Sequence, residues 1–567
     1  MGDLDARGTS AHPELSERPS IMPSMSDIQD PSGDDKATPR GSAAGLPQLE
    51  LPQLELAGHA RRLGHLENFF AVQHRQQIYS SFAVFCEFDT ACSLAQLASA
   101  VRNVCLSNPL LLHTVEPKHP DIAGFYHSDE YLSRPWPQHD YMRVLREVHV
   151  ADVVMNGQKE HAHVVRDAVD VFQAHGNQVT SELLELMTQI EIPHASQTRP
   201  SWRLLCFPHG EANRWRTFAF VSNHCSSDGL SGLNFFRDLQ KELAHGPTSG
   251  APGAPGAPGA SGVIFDYAQD AATLPKLPPP IDQKLDYRPS KKALLGLLAG
   301  KFVREKLGYV SAAPPTTPTS DLAHPEGHQY YCYLVNVPTS SVAHIKTQVR
   351  ENVPHKCTLT PFLQACWLVS LFKYGRVFSG SWLERYTDVL VAMNTRQLLP
   401  EDLELQRQYR YGSNVGGVRY NYPIAPLDVR DNDQKFWSLV ESYRLALSDA
   451  RDKNDYLYAL GALMLPEIYE KKNVDAVVND TILNQRRSGT LISNVGYVRD
   501  EQPTAFAIKN HVFSQGVGAN RNAFVLNICA TDQGGLNIAI SIAKGTLASR
   551  QEGQELCDIF KSTLLRF

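Results

Sequence analysis

Apolar and polar positions alternate along the chain with two periods, one of strands and one of helices. From Arg61 to Phe88 the pattern predicts a turn, a short helix and a strand. Residues 92–115 carry apolar positions at helical spacing up to a stop near Pro109, and an apolar strand follows. Tyr141–Val150 and Val153–His163 read as strand and loop, and Val179–Met187 as helix. Pro200–Phe207 and Phe218–Val221 are predicted as neighbouring strands flanking a turn at 208–216. Beyond the second strand, Leu230, Leu233, Phe236 and Leu239 recur on one helical side. Between strand and helix lies a polar hexapeptide, His224-Cys-Ser-Ser-Asp228-Gly229. A short loop thus carries His224 between two rigid elements, and the helix begins near Asp228–Gly229 with Asp228 as a natural N-cap.

A second set of elements starts near Gln329 with a strand and a Ser-capped helix. Residues 358–375 form a strongly apolar helix capped by a Gly, and Thr387–Arg396 a buried strand. Thr490–Val498 and His511–Gly518 read as strands, and 523–542 as a hairpin around Asp532. Gln551–Arg566 closes the chain as an amphipathic helix. Strands alternating with helices in both halves indicate an α/β (α+β) layered fold with mixed sheets.

Other stretches have no such period. Residues 1 to about 45 are rich in Ser, Pro, Asp and Gly, cannot bury enough apolar surface to offset chain entropy, and are expected to be disordered. The expected division is a disordered head over 1–57, a first folded half over 58–325 and a second over 326–567. LPQLE occurs at 46–50 and again at 51–55; its alternation suits a short extended segment, and Pro47 and Pro52 argue against a long helix. The Gly/Ala/Pro repeats of 248–262 predict a flexible insertion, stiffened beyond it by Leu274–Pro280. Residues 291–309 are basic, apolar and helix-compatible, which fits a helix docked on the protein's own surface or an interfacial membrane helix.

A chain of 567 residues, 42% hydrophobic and 20% charged, is an ordinary globular composition with room for two domains or subdomains. A net charge of −6 gives no reason to expect a nucleic-acid partner. The ten cysteines form no C-x-x-C pair and sit mostly in apolar surroundings, as buried thiols of a reducing compartment do. The N-terminus has no apolar signal region, and no run reaches the ~18 apolar residues of a spanning helix. A cytoplasmic location follows as the expectation, in solution or attached to a surface.

Walker A, dinucleotide-fingerprint, H-E-x-x-H and G-x-S-x-G motifs are absent, which weakens nucleotide hydrolysis, zinc-protease and α/β-hydrolase readings. A metal on His224 and Asp228 would need a further ligand; His161 and His163 look solvent-facing, and no metal is expected. Cys225 as a nucleophile has no evident activating partner. The hexapeptide alone still fits either a solvated turn capped by Asp228 or an H-x-x-x-D-G acyl-transfer histidine.

The order of strand, His-bearing turn and helix resembles the coenzyme A-dependent acyltransferases of the chloramphenicol acetyltransferase, plant (BAHD) acyltransferase and peptide-condensation superfamily. Within it the chain is similar to the fungal alcohol acetyltransferases. The resemblance rests on LGHLENFFAVQHRQQIYSSF (63–82), VSNHCSSDGLSG (221–232), TLTPFLQACW (358–367), VAMNTRQLLP (391–400), SNVG (493–496) and the stretch 513–537, in that order. The Asp-Phe-Gly-Trp-Gly sequence of plant members is missing, the 248–262 insertion is long, and the head has no clear amphipathic helix.

That resemblance implies two chloramphenicol acetyltransferase-like subdomains with an active-site tunnel between them. It implies acetyl-CoA-dependent O-acetylation of an alcohol, with acyl-CoA as co-substrate and no bound cofactor. His224 would act as base and then acid, and Asp228 would turn away to pair with an arginine, for which Arg396 is the candidate. Gly229 would permit close backbone approach, while Ser493, Asn494 and Gln515 would line the coenzyme A or oxyanion side or serve structure. A glycolipid, sterol, amine or other secondary metabolite is an alternative acceptor, and a non-catalytic binding module is the reading of another class. The expected partners are a small-molecule alcohol and acyl-CoA, for a monomer with peripheral contact to endoplasmic reticulum or lipid droplets.

Overall fold

The computed structural model describes residues 50–567 apart from 80, 118–123, 136–139, 196–197, 210, 247–261, 297–298, 300–328, 379–384, 431, 483–485, 500–504 and 519–520. The expected disorder of residues 1–45 and the flexible insertion over 248–261 lie outside the described residues. Of the basic segment, residues 291–296 are helical; apart from residue 299, the rest lies outside them too.

The strands, in chain order, are β1 (Ala60–Arg62), β2 (Ser81–Ser93), β3 (His113–Glu116), β4 (Tyr141–Val144), β5 (Glu147–His149), β6 (Trp202–His209), β7 (Glu211–Asn223), β8 (Val263–Asp266), β9 (Tyr330–Val337), β10 (Tyr386–Asn394), β11 (Val415–Pro423), β12 (Thr490–Val498), β13 (Ile508–Gln515), β14 (Phe524–Thr531) and β15 (Gly535–Ala543). They build two main sheets in a mixed α/β fold. The first, ordered β13-β2-β7-β6, is antiparallel throughout. The second, β11-β10-β12-β14-β15-β9, is mixed, with β12 parallel to both β10 and β14 and the other pairs antiparallel. Two minor sheets, β1-β4-β3 and β5-β8, share a core cluster with the first.

Alternation along the strands sorts the core. On β7, Phe218 and Phe220 face the helices Leu94–Ser107 and Gly229–His245, while Ala219 and Val221 face a seam that also takes Ala539 and Val525 from the second sheet. The second sheet is backed by the helix Leu359–Tyr374, apolar nearly all round because it is buried from Pro361 to Leu371. Its Trp367 meets Phe524 of β14 and Phe560 of the C-terminal helix edge-on, at centroid distances of 5.5 and 5.3 Å.

One strand breaks the simple division into halves. β13 follows β12 in sequence, yet it leaves the second sheet and pairs with β2 along the first. It stays tied to its own half from below. Asn537 on β15 donates to the His511 carbonyl at 2.8 Å and to Asn510 Oδ1 at 2.7 Å. Asn527 and Ser541 donate to the Gln515 carbonyl at 3.2 and 2.8 Å.

Several expectations are corrected. Leu51–Ala57 is a helix rather than an extended segment, because Pro52 lies in its first turn, where a missing N–H costs no bond. Residues 208–216 are not a broad turn: β6 and β7 run to His209 and Glu211. The helix after β9 has no Ser cap; it starts at Thr339 behind Pro338, and the Thr339 hydroxyl donates to the Asp532 carbonyl. Residues beyond His161 form the helix Ala162–Ala174, whose apolar stripe of Val164, Val165, Ala168 and Phe172 was not read from the sequence.

Asn537→Ala removes both side-chain bonds to β13. It is expected to lower unfolding stability by about 1–3 kcal/mol in denaturant titration, since the His511 carbonyl stays buried.

Candidate active site

β7 is a central strand, paired on one side with β2 and on the other with β6, and its last residue, Asn223, precedes His224. The helix after the loop starts cleanly. Asp228 has extended backbone, and its Oδ1 accepts from the Ser231 amide at 2.8 Å, as an N-cap carboxylate does. Gly229 is compulsory at the first helical position: a Cβ there would lie 2.8 Å from Val495 Cγ1 and 2.9 Å from Phe513 Cζ. Gly232 is equally constrained by Val84 of β2, so this helix sits flush on the sheet.

Each residue of the loop after His224 is tied down. Ser227 Oγ bonds Ser222 Oγ at 2.7 Å. Ser226 Oγ meets Nε2 of buried His113 at 3.1 Å; burial pushes that imidazole down to about 4, so it stays neutral, donating from Nδ1 to the Leu110 carbonyl and accepting at Nε2. Cys225 Sγ points to the Glu67 carbonyl, and burial holds its thiol well above the ordinary cysteine value, which removes it as a nucleophile. Asp228 carries the fourth tie. Burial alone would raise its carboxyl, yet Arg396 beside it, with bonds from the Asn414 amide and Ser231, holds it below the usual carboxylate range.

Arg396 follows the end of β10 and spends its whole guanidinium here. Nη1 and Nη2 grip the two Asp228 oxygens at 2.7 and 3.1 Å, while Nε donates to the Tyr409 carbonyl at 2.6 Å and Nη2 to the Gly412 carbonyl at 2.9 Å. Asp228 is 2% exposed. With its oxygens taken by Arg396, Ser231 and Asn414, Asp228 turns away from His224 and has nothing left for a metal. Among the described residues, no group of three or more His, Cys, Asp or Glu is placed to hold a metal ion.

His224 is the residue of the loop whose side chain projects away from these ties, into an aromatic enclosure. Phe70 stacks on its ring at 5.0 Å and 24°, and Tyr79 and Phe82 close around it at 5.2 and 4.9 Å. Its Nε2 lies 3.3 Å from Gln515 Oε1 at the end of β13. Burial keeps the imidazole below the ordinary histidine value, partly opposed by Gln515 and by Asp228.

His224, Asp228, Gly229, Arg396 and Gln515 therefore converge. Ser493 and Asn494 stand on β12, beside the bulge that brings Val495 to Gly229. Asn494 bonds Thr360 Oγ1 and the Gly496 amide, and among the described residues neither Ser493 nor Asn494 hydrogen-bonds His224 or Gln515. Phe70, Tyr79, Phe82, His113 and Glu67 were not singled out in the sequence. The signal for one was present in Leu63-Gly64-x-x-Glu67. Glu67 accepts from the Gly64 amide at 2.8 Å and forks onto Arg61, and a Cβ on Gly64 would strike Asp282 and Pro280. This seats the helix His65–Arg75 that carries Phe70.

A cleft of about 670 Å³ lies at the start of that helix, lined by Arg62–His65, Asp282–Arg288 and residues between Met464 and Glu470, and so by both halves. His65 is at its rim, and Phe70, five residues on, is about 7.5 Å further along the helix axis, against His224.

The family model described as Alcohol acetyltransferase matches residues 62–564. Alcohol O-acetyltransferase 2 of Saccharomyces cerevisiae is 38% identical over 515 residues, 90% of this chain and 96% of the relative. Alcohol O-acetyltransferase 1 of the same yeast is 36% identical over 530 residues, 92% and 98% of the two. Among solved structures, the trichothecene 15-O-acetyltransferase TRI3 of Fusarium sporotrichioides superposes with a TM-score of 0.57 at 12% identity, covering 89% of this chain and 94% of that one. An epimerization domain of tyrocidine synthetase B does so with 0.51 at 11% identity, covering 89% and 95%. At such identities these structures attest the fold alone.

Arg396→Ala strands a buried carboxylate and is expected to cost about 3–5 kcal/mol in denaturant unfolding, with Asp228→Asn in the same chain restoring part of it. Because the folded Asp228 pKa lies below its ordinary value of 3.8, the pair's stabilisation is full above that pH and lost as pH falls further. The loss with acid should be smaller in Asp228→Asn.

Proposed function

We propose a reaction course for this chain, which belongs to the alcohol acetyltransferase family and is an acyl-CoA-dependent alcohol O-acetyltransferase. His224 is the general base. Its neutral Nε2 takes the hydroxyl proton as the alcohol oxygen attacks the thioester carbonyl. The tetrahedral oxyanion collapses with cleavage of the C–S bond, and the same nitrogen returns the proton to the departing sulfur. Ester and free coenzyme A thiol result, with no covalent acyl-enzyme. One imidazole serves both steps when alcohol and thioester reach it from opposite sides, as a tunnel between the halves allows.

The observation that carries this reading is the contrast inside one loop. Cys225, Ser226, Ser227 and Asp228 are each bound into the scaffold, and His224 alone faces Gln515 from the other half. Asp228 is a positioning residue, acting through the loop. The cleft at His65 is proposed as one tunnel mouth. Acyl-CoA is the co-substrate, and the acceptor is a small alcohol.

His224→Ala should abolish acceptor-dependent thiol release from acetyl-CoA across an alcohol panel, measured with purified protein and with the ester quantified. Thiol release and ester formation at the wild-type rate in that variant would falsify the assignment. Since the neutral imidazole works and its pKa lies below the free-histidine value of 6.5, the acid-side fall of kcat/KM should have its midpoint below pH 6.5.

The same reading takes the protein as a cytoplasmic monomer. Among the described residues no helix is long and apolar enough to cross a membrane. The basic segment 291–309 is proposed to touch bilayers peripherally: liposomes should float the protein, and Lys/Arg→Glu changes at 291, 292, 301 and 304 should release it. Failure of the unaltered protein to float rejects that contact.

A further inference from the structure

We infer that Gln515 and Tyr79 together form a gate on His224, occupying its proton-accepting nitrogen until an alcohol displaces them, and thereby restrain hydrolysis of the acyl-CoA. The inference rests on His224 being the base.

Nε2 is the atom that must receive the alcohol's proton, and it is the atom that Gln515 covers, with Oε1 at 3.3 Å. The orientation of the carboxamide does not alter the outcome. If Oε1 faces the ring, the bond requires Nε2–H, and a protonated nitrogen cannot accept. If the amide is turned, its NH₂ donates into the Nε2 lone pair. Either way the lone pair is withheld. The hydroxyl of Tyr79 stands 3.2 Å from the same amide atom, donating to it as Oε1 and accepting from the NH₂ when the amide is turned. Burial pushes the Tyr79 phenol far up, so it stays neutral at every working pH. Tyr79 and Gln515 are buried, at 7% and 6% exposure.

The gate is held loosely at its tip and firmly at its root. Both bonds to Oε1 are at the long end of the hydrogen-bond range, whereas the Gln515 carbonyl takes two donors, Asn527 and Ser541, from the second sheet. The side chain can therefore swing on a fixed backbone. On the ring faces stand Phe70 and Phe82, which offer His224 no competing polar partner.

The consequence is selectivity between two nucleophiles. Water and an alcohol both carry the hydroxyl needed to replace Gln515 at Nε2. An alcohol also buries a hydrocarbon tail, and that binding free energy is available to displace the carboxamide. Water has none. Hydrolysis would take the same course as transfer: water oxygen attacks the carbonyl carbon, His224 takes its proton, the C–S bond breaks, and the proton passes to sulfur, giving a carboxylic acid and coenzyme A thiol. With the gate in place this course lacks a free base.

The test is the ratio of acetate to ester formed from acetyl-CoA at a fixed alcohol concentration, together with thiol release when no alcohol is added. Gln515→Met keeps the volume and removes both polar contacts. It should raise alcohol-independent thiol release about fivefold, the scale of one modest hydrogen bond, and raise the acetate-to-ester ratio accordingly. Tyr79→Phe, which keeps the ring against His224, should move both quantities in the same direction by less. Gln515→Met combined with His224→Ala should release no thiol, which ties the leak to the histidine. An acetate-to-ester ratio that stays at or below the wild-type value in both single variants overturns the gate, even if ester formation falls, and would make Gln515 a liner of the reacting thioester. Should Gln515→Met not fold, judged by its melting transition, Tyr79→Phe decides alone. Loss of activity in His224→Ala with an unchanged ratio in the other variants rejects the gate and leaves the base standing; full activity in His224→Ala rejects the base itself.

Discussion

The Asp228–Arg396 ion pair is the contact on which the rest of the site depends. Taking both charges out of water costs several kcal/mol per ion, and their attraction returns that only when the remaining donors and acceptors are satisfied. They are: every guanidinium nitrogen and both carboxylate oxygens have partners. A contact of this kind yields registration more than stability. It fixes the N-terminus of the helix Gly229–His245, which belongs to the first sheet, against the end of β10, which belongs to the second. The position of His224 relative to both halves is set at that point.

Around the pair, the loop divides its work. Ser222, His113 and Glu67 each hold one of the residues between His224 and Asp228, so the histidine is presented on a rigid arch. The imidazole's ring is walled by aromatic side chains, which favours its neutral form, and among the described residues the polar partner of Nε2 comes from β13. Rigidity is concentrated behind the base, and the swinging part is a glutamine in front of it.

Much of this was legible in the sequence because it is local. The strand–turn–helix unit around His224 follows from a change of period within some twenty residues, and Asp228 as N-cap follows from its position alone. Arg396, 168 positions away, was reachable only through the resemblance of its block to a family. The aromatic walls were not reachable. Phe70, Tyr79 and Phe82 read as ordinary core positions of a helix and a strand, and nothing in their spacing says that a histidine more than 140 residues on will sit between them. The partners of Ser226 and Ser227 were not reachable either, because a serine's partner is set by tertiary contact. The helix Ala162–Ala174 was missed although it carries an apolar stripe, and there is no Ser cap after β9 because the N-cap position falls on Pro338, whose side chain has no acceptor.

The excursion of β13 has a consequence for how the molecule could be divided or assembled. A cut between residues 325 and 326 looks natural in the chain, yet the piece ending there would lack the neighbour of β2. Seven residue pairs of that ladder, from Phe82 to Phe88, would be left as an open, apolar sheet edge, the sort of template on which chains aggregate. The complementary piece would carry β13 as an unpartnered strand. The two pieces are thus obligate complements of each other, joined by donor-strand exchange within a single polypeptide.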